Sequence, residues 1–152
     1  MITPSFDRIS GPKRRSTAGA IGLAALLALP ATAVAEGDGF ALELNRVETV
    51  STGCRITLVA HNGLPDALSE MGLELVVFDK EGGVAGYAAI DFADMPKGKT
   101  RVRQYDIFPG ACETVERILV NDIRSCKSAA GGDLACADTL RPSSRVEIDL
   151  TY

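Results

Sequence analysis

The residues with chemical potential in this chain fall into two sets. One is Cys54, Cys112, Cys126 and Cys136; the other is Lys97, Lys99, Arg101 and Arg103. Thiols ligate metals, exchange electrons or bond to one another. Metal and redox work favours a Cys-x-x-Cys pair or neighbouring histidines. The sequence has no such pair, and His61 is its one histidine. Structural disulfides are therefore expected, with no metal and no cofactor. The four cations recur at every second residue. In extended chain alternate side chains share a face, so the four are expected to form one basic stripe that could hold an anionic ligand or an acidic partner. The same stripe would also serve as a solvated face or as charge protecting a sheet edge.

Nothing else in the sequence assembles a catalytic set. His61 reads as a solvated side chain near a turn, and no Gly-x-Ser-x-Gly elbow offers it a nucleophile. Asp91 and Asp94 read as solvated acids flanking a turn. Met1, Met71 and Met95 are too scattered for a copper-carrying methionine site. A non-enzymatic protein is expected.

What the cysteines do depends on their compartment. Residues 1–35 have the order of a secretory signal peptide: basic Arg8, Lys13, Arg14 and Arg15, an apolar run from Ala18 to Leu29, Pro30, then Ala33-Val34-Ala35. The run has 12 residues, against about 20 needed to span a bilayer. Cleavage is expected after Ala35, and no cysteine follows that could carry a lipid, so no stable membrane anchor remains. Arg14-Arg15 resembles a twin-arginine signal, although Ser16, Thr17 and Ala18 stand where apolar residues are usual. By either route the product is periplasmic or extracellular. The leader takes four of the 16 basic and one of the 20 acidic residues, leaving 12 against 19 and a formal net charge of −7. Nucleic acid and anionic lipid demand a positive surface and are excluded as general partners.

The remaining 117 residues, 36–152, suit one domain with one core. Apolar residues alternate with period two between short turns. Strands are predicted over Phe40 to Val47 with a bulge beyond Arg46, Cys54 to Asn62, Leu73 to Asp79, Val84 to Phe92, Thr100 to Phe108, Arg117 to Ile123 and Arg145 to Tyr152. Ala67 to Met71 reads as a single helical turn, and Leu73 to Asp79 as a strand covered on both faces. About seven strands and no long amphipathic helix predict one antiparallel, immunoglobulin-like β-sandwich. The chain has no tryptophan to fill the place that true immunoglobulin domains reserve for one.

Four cysteines allow three pairings. If the seven strands alternate in direction, Cys54 and Cys112 sit at one end of the sandwich and Cys126 and Cys136 at the other. Bridges between opposite ends would span roughly 20 Å, so Cys54–Cys112 and Cys126–Cys136 are expected. By loop-entropy reasoning the first contributes roughly 4 kcal/mol and the second about 2–3 kcal/mol.

The segments Gly53-Cys54-Arg55, Leu73-Glu74-Leu75-Val76-Val77-Phe78-Asp79, Pro96-Lys97-Gly98-Lys99-Thr100 and Arg117-Ile118-Leu119-Val120-Asn121-Asp122 resemble a family of uncharacterised secreted proteins of alphaproteobacteria. The resemblance implies a periplasmic location and no activity. The expected function is binding of a protein or cell-envelope component. The alternative is inhibition of a secreted hydrolase of the lysozyme type, with the Cys126–Cys136 loop inserted in its cleft. Amino-terminal sequencing of the exported protein should begin at Glu36; a product that still begins at Met1 would contradict the leader assignment.

Overall fold

Side-chain alternation decides which side of each strand is buried, and here two sheets bury their alternate residues against each other. The computed structural model describes residues 39–152, so the leader lies outside the described residues. The chain forms β1 (Phe40–Val50), β2 (Gly53–Asn62), β3 (Leu68–Asp79), β4 (Val84–Asp91), β5 (Thr100–Phe108), β6 (Val115–Ser128), β7 (Leu140–Ser144) and β8 (Asp149–Thr151). Single 3-10 turns at Cys112–Thr114 and Ala137–Thr139 precede β6 and β7. One sheet has the order β5-β2-β1-β7 and the other β4-β3-β6-β8. We call them sheets A and B.

The core lies between the sheets. Sheet A contributes Phe40, Leu42, Leu44, Ile56 and Leu58; sheet B contributes Met71, Leu73, Leu75, Val77 and Ile118, all fully buried. Phe92, in the link from β4 to β5, packs edge-on against Phe40 and Tyr105. Gly53 opens β2 with φ +129°, and a Cβ there would lie 2.0 Å from the Phe108 carbonyl oxygen. Only glycine lets β2 start that close to the end of β5.

The all-β sandwich-like architecture agrees with the sequence reading, and four details correct it. Ala67 to Met71 is not a helical turn. Leu68 and Met71 are buried at a helix-like spacing because β3 is out of step with β6 between Leu68 and Glu70. A bulge in a strand mimics i, i+3 periodicity. The predicted last strand, Arg145 to Tyr152, is a turn followed by β8. The Ser144 hydroxyl holds that turn, meeting the carbonyls of Val146 and Ile148 and the Val146 N–H. The segment before it, which falls in a stretch rich in Ser, Ala and Gly and for which no strand is predicted, contains β7. Proline is tolerated there because β7 is the outermost strand of its sheet. There are thus eight strands, and two of their pairings, β1 with β7 and β6 with β8, are parallel.

Two of the links that cross between the sheets at one end of the sandwich, β2–β3 and β4–β5, converge on Asn62. Its side chain is fully buried. The amide donates to the carbonyls of Asp66 and Met95, at 2.9 and 2.8 Å, and its oxygen accepts the Leu64 N–H at 3.1 Å. Its main chain bonds to Gly98 and Lys99. An antiparallel bridge between Leu68 and Met95 closes the same knot. A buried polar group left without its partner costs about 1–3 kcal/mol. Asn62→Ala strands three such groups, and urea unfolding with the disulfides intact should show a loss of about 3 kcal/mol. A loss well under about 1 kcal/mol would show that the knot is dispensable.

Candidate functional site

The four cations of the predicted stripe lie along the approach to β5 and its first half, at the outer edge of sheet A. Lys97 and Lys99 belong to the turn that precedes the strand and are exposed. On β5 the odd residues face the sandwich, as buried Ile107 and half-buried Tyr105 show. Arg101 and Arg103 share that side. Arg101 donates from Nη2 to the Asp94 carbonyl at 2.6 Å and lies 3.5 Å from its carboxylate. Its Nε is buried without a partner. The Tyr105 hydroxyl donates to the Asp91 carbonyl, and burial raises the pKa of its phenol. Arg101 thus ties the β4–β5 link to the edge strand, while Arg103 is exposed.

The remaining sequence candidates have separate places. The His61 ring Nδ1 lies 2.9 Å from the Thr100 hydroxyl on the outer side of sheet A. Asp91 accepts the Ala93 N–H, which holds Ala93 at φ +54°. Cys54 is bonded to Cys112 with 4.7 Å between Cα atoms, and Cys126 to Cys136 with 6.3 Å. All four cysteines are buried. The Thr49 hydroxyl accepts the Cys112 N–H and donates to Glu113, whose pKa is lowered first by its own backbone N–H and then by Thr49. Among the described residues no three His, Cys, Asp or Glu side chains converge as a metal-holding set.

The outer faces of the two sheets differ in kind. On sheet A, charges meet charges across strands. Arg55 bonds Asp106 at 2.6 Å, Arg145 bonds Glu43 at 2.7 Å, and Gln104 donates to Thr57. Arg55 and the Thr52 hydroxyl hold the Asp106 carboxyl down to about 2. Val102 is exposed there and lies in register with half-buried Val59.

On sheet B the outer face is apolar at one end. Register places Val84 beside Phe78, Tyr87 beside Val76, and Val76 beside Leu119. Tyr87 is 68% exposed and Val84 50%, whereas Val76 beneath them is only 4% exposed. The Arg117 guanidinium lies 3.6 Å above the Phe78 ring centroid, a cation–π contact. Arg117 makes no ion pair among the described residues. Carboxylates succeed the patch along the same face: Glu74, which accepts from Asn121 at 2.7 Å, and Asp122 in register with it. Asp149 lies beside Arg117. Tyrosine and arginine are among the residues enriched in protein-binding hot spots.

Sequence reasoning missed this face, although one signal was present. The run Leu75-Val76-Val77-Phe78 breaks alternation and reads as a strand covered on both sides, yet among the described residues no further layer packs on its outer side, which is flanked by side chains of β4 and β6. No family model, curated protein or solved structure matches the chain.

The Asp106 contact gives a pH signature. A carboxyl with a lowered folded pKa stabilises above its unfolded value, and the effect fades as pH falls toward the folded one. Between about pH 4 and 2 the protein should lose stability more steeply than Asp106→Asn, which starts less stable at neutral pH. Urea midpoints across that window check this; parallel curves would contradict it.

Proposed function

We propose that this is an exported, non-enzymatic domain that acts in the periplasm or outside the cell by binding a protein or envelope component. In this reading the sandwich is immunoglobulin-like and serves as a rigid carrier, and the outer face of sheet B is the binding surface. One observation carries it: Val84 and Tyr87 are exposed beside Phe78, Leu119 and the Arg117 stack, while the outer face of sheet A pairs its charges internally. An apolar patch rimmed by polar residues marks an interaction site on a soluble domain. Two disulfides fit an oxidising, exported location. They also keep a small domain rigid, which lowers the entropy lost on binding.

The Lys97 to Arg103 region is less suited to the task. Arg101 is engaged by Asp94, and charge on an edge strand discourages unwanted pairing. Affinity capture from the native periplasm tests the assignment. Tyr87→Ala with Arg117→Ala should weaken the specific partner by about 30-fold, since hot-spot truncations cost about 2 kcal/mol or more. Arg103→Glu should leave capture intact. Equal capture by the Tyr87/Arg117 variant, with its fold intact, would overturn the assignment.

A further inference from the structure

β4 is the outermost strand of sheet B, and among the described residues no strand pairs with its far side. From Val84 to Ile90 it has neither charge nor proline. The corresponding edge of sheet A, β5, carries Arg101, Arg103 and Asp106. Proteins blunt strand edges with charge because an open edge templates pairing with another chain. One of these two edges is blunted and the other is not.

Strand parity identifies the open groups. The Phe92 N–H donates to the Met71 carbonyl on β3, whereas the Asp91 carbonyl is met from the β5 side by the Tyr105 hydroxyl. Backbone groups of an antiparallel strand point alternately to its two neighbours. Ala88 and Ile90 therefore turn toward β3, and Tyr87 and Ala89 turn N–H and C=O to the free edge. Tyr105 closes the row at Asp91, so the open stretch is at Ala89 and Tyr87. Both of these side chains are exposed on the outer face.

We propose that β4 accepts an added strand from a partner: an extended segment whose outward side chains are apolar beside Val84 and Tyr87 and basic beside Ala89 and Asp91. The proposal rests on the reading of the sheet B face above and names how that face is engaged. Backbone bonds to Tyr87 and Ala89 hold the segment, as in other strand additions. Its apolar residues extend the patch of Val84 and Tyr87. Its cations answer Asp91 on β4 and Glu74, which neighbours the small Ala89 in register. The formal charge of −7 on residues 36–152 favours a basic partner and disfavours a second copy of this chain.

The test uses the processed, oxidised protein and a nine-residue Lys/Val peptide, Thr-Lys-Thr-Lys-Thr-Val-Thr-Val-Thr, capped at both ends. This peptide presents its Lys and Val side chains on one face; the Glu/Val peptide has Glu in place of Lys. In amide NMR the peptide should shift Tyr87 and Ala89 and slow their exchange at least tenfold. A Glu/Val peptide should bind at least tenfold more weakly. Ala89→Pro removes an edge-facing N–H and spares the β3 ladder, so it should weaken the Lys/Val peptide at least tenfold while the core spectrum persists. The wild-type exchange data decide the matter even if that variant fails to fold. Absence of binding, shifts on β5 instead, or indifference to Ala89→Pro in a folded variant would each overturn the added strand. So would a dimer seen by sedimentation and lost in Ala89→Pro, which would assign the edge to a second copy. Partner capture that requires Tyr87 and Arg117 but ignores Ala89→Pro would keep the binding face and overturn only the strand addition.

Discussion

Everything in this sandwich depends on bringing the chain from one sheet to the other without leaving buried polar groups unpaired. At one end the task falls to Asn62, whose three side-chain hydrogen bonds join the β2–β3 link to the β4–β5 link. At the other end the Cys54–Cys112 bond ties the start of β2 to the turn before β6. Hydrophobic burial supplies the driving force, but it is not directional. These two fastenings sit where the crossovers are, and so they help set which residues of β3 and β5 face inward. A slip of one residue would turn every side chain of a strand to the other face.

With the inward faces set, the outward ones follow. Sheet A turns out Arg55, Glu43, Thr57 and His61, and neighbouring strands supply partners for them. Sheet B turns out Val76, Phe78, Tyr87 and Leu119, which shelter one another only in part. Among the described residues, Arg117 lies over the Phe78 ring beside them. That leaves a surface with aromatic character and a stacked cation on a scaffold that loses little conformational entropy in presenting it.

Much of the fold is legible in the residues. Phe40, Leu42 and Leu44 alternate as a half-buried strand must, and so do Ile56, Leu58 and Ala60. Legibility fails where a bulge changes parity. Leu68 and Met71 carry a helix-like spacing only because β3 slips against β6. Val146, Ile148 and Leu150 alternate although a Ser144-centred turn interrupts the chain before β8. β7 is hidden in a stretch rich in Ser, Ala and Gly, and its Pro142 fits a strand because β7 lies at the edge of its sheet. The spacing of Lys97 to Arg103 is visible, but which side of β5 it shares is set by Tyr105 and Ile107 packing inward. The outer face of sheet B is half legible. Val76 and Phe78 announce a strand in need of cover, whereas the stacking of Arg117 on Phe78 requires the β3–β6 register, which no local pattern encodes.

The two outer faces differ in kind, apolar and aromatic on sheet B and charge-paired on sheet A. Tyr87 and Val102 offer a matched comparison, since each is an exposed apolar residue on the outer face of a different sheet. A photocrosslinking phenylalanine would be introduced at Tyr87 in one variant and at Val102 in another, and each irradiated in the native periplasm. The account predicts a discrete crosslinked product from position 87 and none from position 102. A product from position 102 alone, or the same products from both, would contradict it.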